Sequence, residues 1–516
     1  MVSWIQLILC LAIMLGYPAD AGIHQSQQIE TTGYWPEQIW RTCSPEKQGL
    51  QSAELVKLFD YVKEKNINLN SIIIIRNGYM VLESYFYPYQ KNVIHDIASV
   101  TKSITALAAG IAVDQGYIKN VDEKVLAYFK DRTALNLDEN KKSLTVKHLL
   151  TMTSALCRDF GEGEAQTGQM RRSPDGIQYM LDLPLFYQPG KQFVYSSIAP
   201  HLLSAIITRT TGMSLLEFAQ KNLFEPLSIT NIRWPADRQG NTYGWGDLCI
   251  TPADLAKIGY LVLNKGNWKG QQIVSQEWIR QSAQPQIYED AGTAYGYLWW
   301  IPLDTPGLFE GRGRGGQRLV IWPQKNMVVV LLGNGEYTLG GIGEFIQRAI
   351  TADGPLAENP ETFQLLKNKI REASTAPSPK PVTPLPDLAG KISGQEYFLD
   401  DNLLGLDSFS LVFEHDRDPI IKVSSNDEMT GKSVQKVIPL GLDDVYRISN
   451  TSQYDLPAGA KGCWTSNNDF QFIYNEAANN RLLHFRLHFE EQNVELNVTE
   501  DTGLFDEMII KGKIRQ

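Results

Sequence analysis

The chain has 516 residues, more than one hydrophobic core usually serves, so two folded domains are the starting expectation. With 43% apolar and 21% charged residues it has the composition of an ordinary globular protein. A formal net charge of −10 leaves no basic footprint of the kind that nucleic-acid binding requires, and that class is set aside.

From the amino terminus, an apolar run from Trp4 to Leu15 leads to the small-residue site Ala19-Asp20-Ala21. The run is too short to span a bilayer and ends in an A-x-A pattern, so residues 1–21 are expected to be a cleaved export signal without an integral membrane anchor. The expected location is therefore secreted, either periplasmic or extracellular. The segment departs from the usual signal in carrying no Lys or Arg before its apolar run, and Cys10 lacks the small residue that precedes a lipidated cysteine. Cys43, Cys157, Cys249 and Cys463 remain after removal of the signal. They permit three disulfide pairings or four free thiols, and no C-x-x-C pair suggests zinc.

Ser71–Arg76 (SIIIIR) reads as a buried strand, joined by the turn Asn77-Gly78 to a second strand, Tyr79–Tyr85. Ile104, Leu107, Ala108, Ile111 and Ala112 recur at helical spacing up to a stop at Gln115-Gly116. Further helices are expected at 202–211, 215–222 and 253–264, and a further buried strand at Met327–Leu332 (MVVVLL). Together these describe an α+β domain over residues 22–372. Residues 373–386 (ASTAPSPKPVTPLP) form a Pro-rich linker. From 387 to 516 the pattern changes to short strands at 408–413, 420–424, 469–474, 482–490, 494–499 and 507–510, which define a small all-β domain, a barrel or a sandwich. In one of them Leu483, Phe485, Leu487 and Phe489 alternate with His484, Arg486, His488 and Glu490, the mark of a half-buried strand.

Ser99-Val100-Thr101-Lys102 is an S-x-x-K sequence at the head of the helix before Gln115. The i, i+3 spacing sets the hydroxyl and the amine on one helical face, about 5–6 Å apart at Cβ. A lysine can serve as base there only if burial or a nearby cation lowers its pKa, and a helix N-terminus favours developing negative charge on the serine. The motif alone identifies nothing, since Ser44-x-x-Lys47 and Ser433-x-x-Lys436 repeat it. The first copy contains Pro45 and opens no long helix; the second lies among strands. Ser99 alone follows a hairpin and opens a helix with a continuous apolar face. Tyr195-Ser196-Ser197 supplies a phenol that could relay a proton beside a lysine. Gly311-Arg312-Gly313-Arg314-Gly315-Gly316-Gln317 is a glycine-rich entry to a strand, through which backbone could approach a substrate and donate to an oxyanion.

The order Ser-x-x-Lys, Tyr-x-Ser and glycine-rich strand entry resembles the serine β-lactamase and penicillin-binding superfamily. It is most similar to the class C-related branch, which includes esterases, D-amino-acid peptidases and 6-aminohexanoate-oligomer hydrolases. Supporting stretches are residues 145–154 (TVKHLLTMTS), 246–248 (GDL) with 251–256 (TPADLA), and 295–300 (YGYLWW), so that the resemblance spans about residues 40–355. It implies a β-lactamase/transpeptidase-like fold, an antiparallel sheet flanked by helices plus a helical subdomain, ahead of the β-domain. It implies a serine hydrolase acting on a small-molecule or peptide-like amide or ester, without cofactor or metal. Ser99 would be the nucleophile, Lys102 and Tyr195 would share the general-base and general-acid work, and the N–H groups of Ser99 and Gln317 would form the oxyanion hole. Ser197 stands where the family has Asn, and Arg314-Gly315-Gly316 where it has Lys-Thr-Gly; in an alternative register Arg312 replaces a His. Ser197, Arg312, Arg314, Gly315 and Gly316 are the expected substrate-binding residues, either arginine being able to hold a carboxylate. The missing Lys-Thr-Gly speaks against efficient β-lactam hydrolysis. No counterpart of the class A deacylating glutamate is identified, which leaves water activation to Tyr195 and Lys102. The altered motifs and the extra domain also fit a penicillin-recognising sensor or scaffold that has lost turnover.

Three features are read as bland. His484 and His488 lie about 13 Å apart along a strand, too far for one metal ion. Trp299-Trp300 is assigned to aromatic core packing rather than to a pocket wall. The sequons at Asn450 and Asn497 matter only in a eukaryotic secretory host.

Overall fold

The computed structural model describes residues 34–36, 39–335, 339–415, 417–426, 433–505 and 507–515. The expected export signal lies outside the described residues.

The first sheet has eight antiparallel strands: β1 (Leu69–Arg76), β2 (Tyr79–Tyr85), β3 (Ile287–Tyr288), β4 (Thr293–Tyr295), β5 (Trp300–Pro302), β6 (Phe309–Gly313), β7 (Gln317–Trp322) and β8 (Met327–Gly333), in the order β2-β1-β8-β7-β6-β5-β4-β3. β1 and β8 sit inside the sheet with both faces covered, which is why each is a continuous apolar run rather than an alternating one. Ile72 and Ile74 enter the core cluster on one face, Ile73 and Ile75 the cluster on the other. Helix α1 (Ser52–Glu64), with Leu339–Ala349 and Pro360–Ser374, packs on the first face. Helix α2 (Val100–Asp114) and Pro252–Leu263 pack on the second. A helical subdomain holds α3 (Phe160–Arg172) and α4 (Ile198–Thr211), the latter starting four residues before its expected position because Pro200 is tolerated in a first turn. The helix expected at 215–222 ends as α-helix at Ala219 and continues as a wider π turn to Phe224.

The helix Pro360–Ser374 extends two residues past the expected start of the linker, so the extended Pro-rich stretch begins at Thr375. It is tied down: Lys380 N–H donates to Asp443 O and its ammonium pairs with Asp444 at 2.6 Å.

The second sheet has ten strands: β9 (Glu396–Leu399), β10 (Leu406–Val412), β11 (Ile420–Asn426), β12 (Ser433–Pro439), β13 (Arg447–Ser449), β14 (Ala458–Trp464), β15 (Asp469–Glu476), β16 (Arg481–Glu490), β17 (Asn493–Glu500) and β18 (Glu507–Ile514). Each strand pairs with its neighbour in sequence, β9 also pairs with β18, and only β12 and β13 remain unpaired. This is an up-and-down barrel with one open seam. On β16, Leu483, Phe485, Leu487 and Phe489 point inward, while His484 and His488 face outward and pair with Asp501 and Asp469. Among the described residues no His/Cys/Asp/Glu cluster could hold a metal, and no helix is long and apolar enough to cross a membrane. The four cysteines among the described residues are free thiols, with Cys157 and Cys249 buried and Cys463 exposed.

Since Ile74 is fully buried between β2 and β8, Ile74→Ala should cost about 2–5 kcal/mol from lost burial and the residual cavity. An unchanged denaturant midpoint would contradict the buried central position of β1.

Candidate active site

Ser99 lies between the short strand His95–Asp96 and the first turn of α2. The preceding residue, Ala98, has φ 46°, a left-handed conformation that L residues rarely adopt. Asp96 holds that turn, its Oδ1 accepting from Ala98 N–H at 2.8 Å. One helical turn on, Lys102 is almost completely buried. Its Nζ lies 2.8 Å from Ser99 Oγ, 2.9 Å from Trp245 O and 3.4 Å from Ser197 Oγ. Burial pulls the amine down to about 8, while Glu164 and Asp247 oppose the shift.

Tyr195 precedes α4. Its ring stacks on Trp300 at 5.5 Å and lies beneath Lys102 Nζ at 4.9 Å, and its hydroxyl hydrogen-bonds the Ser99 side chain. Burial raises the phenol, so it remains protonated at neutral pH. Ser197 Oγ donates to Glu164 Oε1 at 3.0 Å, which brings a carboxylate from α3 into the site.

The glycine-rich segment forms the hairpin between β6 and β7, with Gly313 paired to Gln317 and the turn residues Gly315 and Gly316 at φ 72° and 86°. A Cβ on Gly313 would sit 2.7 Å from Ile97 O, and one on Gly311 would sit 3.0 Å from Ser103 Oγ. These glycines let β6 lie against the turn that holds Ser99. Beyond Glu310, β6 has no partner from β5, so the edge at Gly311–Gly313 is open. The Gln317 side chain is fully buried, its carboxamide donating to Arg314 O at 3.0 Å and Gly333 O at 2.6 Å, so that it ties the head of β7 to β8.

Ser99, Tyr195, Ser197, Arg312, Arg314, Gly315 and Gly316 all line one cleft of about 760 Å³. Both arginines already have carboxylate partners: Arg312 Nε donates to Glu310 at 2.7 Å, and Arg314 contacts Thr502 and lies 3.8 Å from Glu500. The tryptophan pair divides. Trp299 is buried, as expected, but Trp300 is half-buried and forms cleft wall, because successive residues at a strand start face opposite ways.

Three turns of the barrel reach this site. Asn480 Nδ2 donates to Asp96 Oδ2 at 2.6 Å, Asp96 N–H donates to Ala478 O at 2.9 Å, and Tyr454 hydroxyl approaches Asp247 Oδ2 at 3.4 Å. Thr502 and Gly503 complete the wall. Sequence reasoning did not place Asp96, Glu164 or Asn480 at the site, and it met Asp247 only as part of the 246–248 stretch that supports the family resemblance. Asn480→Ala should lower turnover about tenfold by loosening the Ser99 turn and cost about 1–3 kcal/mol from the buried bond partner left behind. Unaltered steady-state kinetics would show the contact to be structural only.

The sequence model of the Beta-lactamase family matches residues 59–351, more than half of the chain. An uncharacterized protein of Alkalihalophilus pseudofirmus is 25% identical over 303 residues, covering 50% of this chain and 82% of that protein. A 6-aminohexanoate-dimer hydrolase of Paenarthrobacter ureafaciens is 24% identical over 288 residues, covering 51% and 72%. Among solved structures, EstCE1, a hydrolase with promiscuous acyltransferase activity, superposes with a TM-score of 0.50 at 16% identity over 58% of this chain and 99% of that one, a likeness of fold alone. The chain belongs to the Beta-lactamase family of serine hydrolases.

Proposed function

We propose that this chain is a secreted hydrolase that cleaves an amide or ester through an acyl-enzyme on Ser99. The observation that carries the reading is the 2.8 Å contact between Ser99 Oγ and a buried Lys102 whose amine is held near 8. A neutral amine takes the Ser99 hydroxyl proton as Oγ attacks the carbonyl carbon. The carbonyl electron pair moves onto oxygen, and the oxyanion sits between Ser99 N–H, at the start of α2, and main-chain N–H of the open β6 edge at Arg312–Gly313. Tyr195, kept neutral by burial, donates its proton to the leaving nitrogen or oxygen as the tetrahedral intermediate collapses, and recovers one from Lys102. Water then attacks the Ser99 ester with the same groups in reverse. Loss of Lys-Thr-Gly and the engaged arginines support amides and esters other than β-lactams. The export signal assigned to residues 1–21 supports secretion, which fractionation with amino-terminal mass analysis of the mature chain checks.

Two outcomes test the mechanism. Ser99→Ala should abolish turnover of p-nitrophenyl esters, D-amino-acid amides or aminohexanoate oligomers, whichever the wild type cleaves, and intact mass spectrometry with a fluorophosphonate should find an adduct on wild type only. A labelled chain with a long-lived acyl adduct and no product release would instead indicate a sensor. Second, kcat/KM should rise with pH through a midpoint near 8, because only neutral Lys102 can accept the proton. A flat profile from pH 6 to 9 would remove Lys102 from the role of base.

A further inference from the structure

The barrel has two unlike ends. In an up-and-down meander, the turns after β9, β11, β13, β15 and β17 share one end, and those after β13, β15 and β17 touch the catalytic domain. The far end is plugged by rings: Trp464 packs on Phe470 at 5.3 Å and on Phe413 at 5.9 Å, and Tyr397 packs on Phe489 at 5.6 Å. The near end is hollow. A cavity of about 160 Å³ lies inside, with the stacked pair Phe472–Phe485 (4.4 Å) as its floor and side chains from both halves of the barrel as its walls, among them Leu406, Val423, Leu483 and Leu496. Its polar lining includes Arg481 and Glu476, 3.6 Å apart at the strand ends nearest the catalytic domain, with Lys436, Ser425 and Thr451. Lys436 Nζ donates to Ser452 O at 3.3 Å and pairs with no carboxylate among the described residues.

Protein cores are close-packed and leave few voids larger than a water molecule. Ten strands enclose more space than the eight that side chains can fill, and barrels wider than that hold ligands. The chain fills one end of this barrel with five aromatic rings and leaves the other open, so the void follows from which residues occupy which end and is not a general looseness of packing.

We infer that the barrel is a second binding site, separate from the Ser99 cleft, for an amphiphile with one short hydrocarbon chain and a small anionic head. The chain lies on Phe472 and Phe485, and the head meets Lys436 and Arg481. The volume matches that of apolar cavities of about 150 Å³ that take up benzene, which limits the buried part of the chain to about six to eight carbons. Glu476 already partners Arg481, so Lys436 supplies the unmatched positive charge that selects an anion over an alcohol.

Octanoate, octanol and a diazirine-bearing octanoate serve as probes of the full-length protein. Calorimetry should find saturable octanoate binding, weakened at least tenfold by the cavity-filling changes Val423→Phe and Leu406→Phe, with ester hydrolysis unaffected. Lys436→Gln should weaken octanoate about fivefold and leave octanol unchanged. Photolabelling of the wild type needs no variant to fold, and should mark peptides within 399–425 and 472–487. No saturable binding, label confined to residues 96–99 and 300–318, or filled variants that fold and bind as wild type would each overturn the proposal. None of these outcomes depends on whether Ser99 turns over a substrate.

Discussion

The site depends on keeping one amine out of water. Lys102 is placed by helix α2 with its Nζ against Ser99 Oγ and its charge among backbone and hydroxyl oxygens rather than solvent. A fall from 10.5 to about 8 makes the ammonium about 3 kcal/mol less favourable than in water, an order-of-magnitude figure. The folded chain carries that penalty in full below pH 8, where the amine is charged in both states. Between 8 and 10.5 the unfolded chain holds the extra proton, so this group's contribution to stability rises with pH across that window. The rest of the domain maintains the burial: β6 closes one side through glycines that let backbone meet backbone, and Tyr195 on Trp300 closes another.

The same burial separates the acid from the base. Desolvation disfavours a charge of either sign, so it lowers the lysine and raises the tyrosine. Proximity in sequence-level reasoning suggested a phenol ionised by a neighbouring ammonium. In the buried site Lys102 loses its proton first, and the phenol above it stays a donor. A single environment thus yields a base and an acid 4.9 Å apart, measured from amine to ring centre.

Local patterns made most of the fold legible. The isoleucine run of β1, the helix after Ser99, the alternation on β16 and the extended Pro-rich stretch each follow from a few neighbouring residues. Ser99, Lys102, Tyr195 and Ser197 were legible because their motifs occur in order along the chain. What could not be read is what long-range packing decides. Asn480 and Asp96 are 384 residues apart and nothing in either neighbourhood announces the other. The close approach of Gly311 and Gly313 to the Ser99 turn is likewise a matter of packing, seen only in the Cβ clearances. Trp300 lines the cleft while Trp299 is buried, a division between neighbours that the Trp-Trp pair does not show in sequence.

The contact between the domains gives the barrel a place in the site's geometry. Asp96 binds the Ala98 amide with one carboxylate oxygen and Asn480 with the other, while its own amide donates to Ala478 O. The residue that shapes the left-handed turn before the nucleophile is therefore clamped on two sides by one barrel turn. Arg314, which lines the cleft, is held through Thr502 and Glu500 of another. A catalytic domain without the barrel would leave Asp96 half satisfied and Arg314 without its anchors. It would also lose the wall at Thr502 and Gly503, so the cleft that meets a substrate is a property of both domains together.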